Sequence, residues 1–211
     1  MGDAARLDLA HRDADRGASV AADATRHPAV EAFVVALRAA RAAGGDERDM
    51  LARVAPLCAG LAARRGEWLH AAMCRPDPDQ GFSLHVLHEE SDHALAVFVV
   101  TWLPGRSTMP HDHGTWAVIA GLEGVERNAL WERVDDRSRP GHAELRRTGE
   151  RSVGPGELIL LPEGSIHSVV NDTDAVTVSL HAYGRHVNYN ARSQFDPDAR
   201  TESPYQVRIQ S

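Results

Sequence analysis

The sequence predicts a mainly β fold, an all-β sandwich or barrel preceded by α-helices, and two patterns carry that expectation. From Phe82 onward, short runs of β-branched, aromatic and aliphatic residues recur between clusters of Gly, Pro, Asn and Asp, the punctuation of successive strands and turns. Between His27 and Gly66, apolar residues instead recur at the spacing of one helix face. At 211 residues, 43% of them hydrophobic, the chain is long enough for one domain with a substantial core. No internal repeat or low-complexity block competes with this pattern.

Taken in order, residues 1–26 are rich in Ala, Asp and Arg, with Leu7, Leu9 and Val20 as larger apolar groups. Such a stretch buries little, which predicts a flexible segment or a loosely docked helix. His27-Pro28 starts a helix carrying Val30, Phe33, Val34 and Leu37 in one stripe, and Gly44-Gly45 ends it. A second helix is expected from about Asp46 to near Gly66, burying Met50 or Leu51, Val54, Leu57, Cys58 and Leu61. Pro56 in its middle predicts a kink or a split. After the turn-rich segment 75–81, strands are expected at 82–89, 95–103, 115–122, 125–134, 143–148, 157–161, 166–171 and 175–183, with an edge strand at 205–209.

A formal net charge of −7 leaves no basic footprint for nucleic acid, and no apolar run approaches the length of a membrane span. The expected partner is therefore a small molecule. Cys58 and Cys74 are widely spaced and form no CxxC, which fits a reducing compartment, and no leader pattern opens the chain. Together these point to a cytoplasmic protein. Cys58, on an apolar stripe, is read as core rather than nucleophile.

The chemistry is concentrated in two stretches. In Gly105-Arg-Ser-Thr-Met-Pro-His111-Asp-His113, two imidazoles stand two residues apart, a spacing that puts both on one face of a strand, with Asp112 turned away as a carboxylate that either supports a ligand from behind or fixes the loop. In Gly156-Glu-Leu-Ile-Leu-Leu-Pro162-Glu-Gly164-Ser-Ile-His167-Ser-Val-Val-Asn171, an apolar run ends in a Pro-x-Gly turn and one His opens the next strand. Side by side, the strands would bring three imidazoles to one point, a set that suits Fe, Zn, Cu or Ni and leaves coordination positions open. No fourth ligand, which would close a structural zinc site, is evident.

These stretches resemble the paired motifs of the cupin superfamily, G-x5-H-x-H-x3,4-E-x6-G and G-x5-P-x-G-x2-H-x3-N. Gly105, His111, His113 and Gly124 fill the first, and Gly156, Pro162, Gly164, His167 and Asn171 the second. The resemblance implies a cupin double-stranded β-helix, or jelly-roll barrel, over residues 75–211, with a helical region 27–74 packed on it in a single domain. Where most metal-binding cupins carry a ligand Glu, this chain has Ala117. That loss is similar to the thiol dioxygenases, the family of cysteine dioxygenase and 3-mercaptopropionate dioxygenase, whose iron is held by three His. The alternating segment Ser179-Leu-His181-Ala-Tyr183 also resembles their Ser-x-His-x-Tyr row, which can pass a proton or orient a ligand. In the mammalian enzymes a Cys at the position matching Ala117 crosslinks to the Tyr matching Tyr183, which this chain cannot do.

The resemblance therefore implies Fe(II) on His111, His113 and His167, a small thiol carboxylate and O2 as reactants, and a sulfinate as product, with Ser179, His181 and Tyr183 as the catalytic row. Another divalent metal can occupy such a site in a purified sample. Cysteine dioxygenases carry an Arg for the substrate carboxylate near position 85, and the mercaptopropionate enzymes a Gln. Here His85, on one face with Ser83 and Leu87, is the residue expected to face substrate, and Arg192 is a second candidate. The missing Arg puts cysteine itself in question as the preferred thiol. Alternatives are another metal-cupin enzyme, such as a non-thiol dioxygenase or an isomerase, and a metal-dependent small-ligand-binding cupin. Oligomeric state is not legible.

Overall fold

A computed structural model describes residues 27–210; the expectation for residues 1–26 lies outside them. Helix α1 (Pro28–Ala42) opens with Pro28 in its first turn and the His27 ring accepting from the Ala29 amide, so two of its otherwise orphaned positions are accounted for. Helix α2 (Glu47–Ala63) is capped by Asp46, whose carboxylate accepts from the Asp49 amide at 2.9 Å. Pro56 does not split it. The proline stands on the exposed face, where the carbonyl it deprives of a partner, that of Ala52, is open to water. A short helix α3 (Arg65–Trp68) and a 3-10 turn at Ala71–Cys74 lead into the strands.

Ten strands follow: β1 (Phe82–Glu89), β2 (Ala96–Trp102), β3 (Ala117–Glu123), β4 (Glu126–Arg133), β5 (Leu145–Val153), β6 (Leu158–Leu161), β7 (Ile166–Val170), β8 (Thr177–Tyr183), β9 (Ser193–Asp196) and β10 (Thr201–Pro204). They pair antiparallel into a five-stranded sheet ordered β1-β2-β8-β3-β6, a three-stranded sheet β5-β4-β7 and a hairpin β9-β10. The two larger sheets face each other over a core that includes Phe98, Ile119, Ile159, Val153 and Val169, giving a two-sheet β-barrel with N-terminal helices.

Strands β2 and β8 are buried along their whole length because the five-stranded sheet is covered on both sides. Val97, Val99, Val178, Leu180 and Ala182 point outward to Val30, Leu37, Val54 and Cys58 of the helices. Each buried valine or leucine among them contributes roughly 1.5–3 kcal/mol of transfer free energy. The alternate residues of β8, Ser179, His181 and Tyr183, consequently point into the barrel.

Two segments depart from expectation. The polar stretches Ser193–Asp196 and Thr201–Pro204 form a hairpin that no hydrophobic alternation announces; it is held by backbone register and by Phe195 packing on Ala143 and Ile166. The expected edge strand at 205–209 is reduced to one parallel bridge between Gln210 and His85, while Val207 and Ile209 pack against the barrel interior.

Candidate metal centre

The histidine pair lies just before β3 in an extended, bridged segment rather than on a regular strand. The backbone of His111 exchanges both hydrogen bonds with His167: the His111 amide donates to the His167 carbonyl at 2.8 Å and the reverse bond is 3.0 Å. This close pairing sets the first and third imidazoles side by side. The second is set by the turn after it. Gly114 has φ +61°, and a Cβ there would run into the carbonyl of Ala191. Asp112 accepts from the Gly114 amide at 2.9 Å, fixing the loop as expected of it, and Asn190 donates to the His113 carbonyl at 2.6 Å.

All three rings are buried, and one ring nitrogen of each lies within 4.8 Å of the others. Nε2 of His113 and Nε2 of His167 are 3.2 Å apart. Two nitrogens bound at about 2.1 Å and at right angles around one ion stand roughly 3 Å apart, so the spacing fits shared ligation. Two of the remaining nitrogens are committed elsewhere: His111 Nδ1 lies 3.0 Å from the Met109 carbonyl oxygen and His167 Nδ1 2.9 Å from Asn128 Oδ1. Both partners only accept, so each Nδ1 carries the proton and each Nε2 presents its lone pair.

Burial holds His111 down to about 4 and drives His113 and His167 well below the ordinary histidine value, helped by the rings' mutual repulsion. All three are therefore neutral ligands at neutral pH. Among the described residues the group includes no carboxylate or thiolate. Ala117 stands directly across the ladder from Tyr183. The donor set fits a divalent ion, and three neutral ligands leave its two positive charges uncompensated. Anionic ligands are thereby favoured at the open positions.

Two outcomes follow from these contacts. Asn128→Ala is expected to weaken metal binding about 10–100-fold by releasing His167 Nδ1, measured by competition against a chelator, with Asn128→Asp retaining most of the affinity. Metal-free protein is expected to lose stability on acidification. Histidines with depressed folded-state pKa values contribute stability that is complete above about 6.5 and is lost as pH falls; for His111 the span from 6.5 to about 4 amounts to on the order of 3 kcal/mol. Glu126, raised by burial from 4.5 to about 7, has the opposite slope, but it is one group against His111, His113, His167 and His181. Urea midpoints at pH 7.5 and pH 5, roughly one unit or more to either side of the free histidine pKa, should show the lower value in acid.

A cavity of about 30 Å³ lies over the three rings, with Leu84, Val100 and Val187 on its apolar side and Tyr183, Arg192 and Tyr205 on its polar side. Arg192 is 7% exposed; its Nε donates to the Tyr205 carbonyl at 3.1 Å, its guanidinium lies 4.3 Å over the Tyr205 ring, and its buried Nη2 has no partner. Ser179, His181 and Tyr183 form a connected row: Ser179 Oγ is 2.9 Å from His181 Nε2, and His181 Nδ1 is 2.7 Å from the Tyr183 hydroxyl. Burial lowers His181 to about 3 and raises Tyr183, so both are neutral.

His85 does not face the cavity, contrary to expectation. The residues of β1 that line the cavity are Phe82 and Leu84, so His85 belongs to the opposite face with Ser83, whose hydroxyl bonds the 75–77 turn. The structure brings Arg192 to the cavity and leaves His85 outside it. Glu126, Asn128, Asn190 and Tyr205 were not singled out from the sequence. Glu126 and Asn128 alternate on the inner face of β4, but the outer face is also polar, so no contrast between faces marked them.

No family model matches the sequence. Among solved structures, the chain resembles an oxalate oxidase in complex with the substrate analogue glycolate (16% identity, TM-score 0.40, 52% of this chain and 53% of that one). It also resembles a variant of Bacillus subtilis oxalate decarboxylase (20%, TM-score 0.41, 57% and 29%) and the protein TT1209 from Thermus thermophilus (18%, TM-score 0.39, 54% and 90%). The chain spans about half the length of that oxalate oxidase.

Proposed function

We propose that this protein is a mononuclear non-haem iron thiol dioxygenase acting on a small thiol carboxylate. The observation that carries the proposal is a buried cation, Arg192, presenting an unpartnered N–H in the same small cavity as three neutral imidazoles. A guanidinium buried without a bonded counter-ion recognises an anion, and a carboxylate is the anion its planar donors match best. The cavity is small, about 30 Å³, which suits a short thiol carboxylate.

His111, His113 and His167 would hold a ferrous ion, whose unpaired electrons would let O2 react with a closed-shell thiol. The balance is RSH + O2 → RSO2H: the S–H and O–O bonds break, two S–O bonds form, the thiol proton ends on a sulfinate oxygen, and sulfur gives up four electrons that O2 takes. The protein's own groups orient and shield. Arg192 would anchor the carboxylate, Tyr205 holds Arg192 in place, and Leu84, Val100 and Val187 exclude water. The Tyr183 hydroxyl, backed by His181, would hydrogen-bond the reacting sulfur or oxygen atoms.

Oxygen uptake by iron-reconstituted protein against cysteine, 3-mercaptopropionate, mercaptosuccinate and cysteamine tests this. The expected result is uptake with one of the thiol carboxylates, one sulfinate per O2, and a much weaker response to cysteamine, which lacks the carboxylate. Iron-loaded protein that consumes no oxygen with any of them would exclude the proposal and leave a metal cupin of other chemistry.

A further inference from the structure

The Ser179–His181–Tyr183 row does not end at Ser179. Ser179 Oγ lies 3.0 Å from Glu126 Oε2, and Glu126 is buried at the start of β4. Its other oxygen, Oε1, is buried without a partner at hydrogen-bonding distance, and so are two donors, Asn128 Nδ2 and Trp102 Nε1. Both donors nonetheless act on the carboxyl, as does Ser179, each favouring its ionised form, while burial favours the neutral form. Asn128 has its Oδ1 turned to His167 Nδ1, which leaves its amide for Glu126. The carboxyl thus stands where two arms meet, one leading to a metal ligand and one to the cavity.

We propose that Glu126 is a positioning residue whose single proton sets the direction of hydrogen bonding along Ser179, His181 and Tyr183, and so decides whether the Tyr183 hydroxyl offers the cavity a proton or a lone pair. The argument is one of donor counting. With Glu126 ionised, Ser179 donates to it, His181 Nε2–H donates to Ser179, and Tyr183 donates to His181 Nδ1, so the tyrosine proton points away from the cavity. With Glu126 protonated, every bond reverses. Glu126 donates to Ser179, Ser179 to His181 Nε2, and His181 Nδ1–H to the Tyr183 oxygen, freeing the tyrosine proton for the cavity. His181 stays neutral in both states, so the change is a swap of its tautomer rather than of its charge.

Burial sets Glu126 at about 7, where both states are populated near neutral pH. The groups acting on it, Ser179 on β8, Asn128 on its own strand and Trp102 on β2, are all neutral, and no charged residue is among the causes of its shift within the described residues. The carboxyl itself is therefore the group that titrates.

The test is nitrogen NMR of full-length, histidine-labelled protein loaded with diamagnetic zinc, the His181 signals being identified by their loss in His181→Gln. Between acid and base limbs centred on about pH 7, His181 should exchange from the Nδ1–H to the Nε2–H form. In Glu126→Gln, whose amide oxygen would face Trp102 and Asn128 and whose NH2 would face Ser179, the Nδ1–H form should persist at every pH. Ser179→Ala should likewise uncouple His181 from pH by cutting the row. A wild-type His181 that keeps one tautomer throughout would overturn the proposal even if the variants fail to fold, as would an exchange that survives in Glu126→Gln. The consequence for turnover rests on the thiol oxidation proposed above: the limb near pH 7 in kcat should vanish in Glu126→Gln while KM stays within about twofold. The tautomer exchange needs no thiol, so a protein that shows it and oxidises no thiol refutes only the earlier proposal.

Discussion

His113→Ala is expected to lower metal affinity by more than about 100-fold and to abolish turnover. Loss of an outer hydrogen-bond partner alone costs 10–100-fold, and here a ligand atom itself is removed from a set of three. The loss should be chemical rather than structural. His113 is buried beside Gly114 in a loop whose backbone is fixed by Asp112 and Asn190, and neither of those contacts uses the imidazole. In the metal-free state the variant should even resist acid better, because one histidine that folding keeps neutral has been taken away. Metal content after reconstitution, read beside circular dichroism and a urea midpoint, separates these effects. A variant that retains one tightly held metal per chain would remove His113 from the centre.

Arg192→Met is expected to raise KM for 3-mercaptopropionate by about thirty-fold to a few thousand-fold, because truncating one side of a buried charge pair costs roughly 2–5 kcal/mol. Methionine keeps much of the apolar stem beside Tyr205, so the cavity wall survives while the charge goes. Cysteamine, whose ammonium is repelled by Arg192, should be unaffected or improved. That opposite response is what separates loss of an anion site from general damage. Equal losses for both thiols would mean that Arg192 shapes the cavity and does not read the carboxylate.

What could be read in advance follows from how each feature is encoded. His111 and His113 stand two apart in an extended segment and His167 opens a strand after a Pro-x-Gly turn, and Gly114 and Gly164 mark the turns by their positive φ. Ser179, His181 and Tyr183 were visible because β8 alternates strictly, polar inward and apolar toward the helices. The same logic failed at β1. There Ser83 and Leu87 are as buried as Leu84, since the 75–77 turn and the helices cover the outer side, and the inner face cannot be told from composition. Arg192 and Tyr205 reach the cavity from irregular segments after β8, one before β9 and the other after β10, where no period constrains direction. Glu126 was invisible for a different reason: a carboxylate opening a strand reads as solvated until Ser179, more than fifty residues away, is seen beside it.

X-ray absorption of the iron-loaded protein, recorded before and after addition of 3-mercaptopropionate, reads the coordination shell itself. Three imidazole nitrogens completed by light solvent ligands in the resting protein, with one sulfur joining the shell on addition of thiol, is the predicted result. A resting shell that already holds a protein sulfur or carboxylate, or that lacks the imidazoles, would contradict an open three-histidine centre.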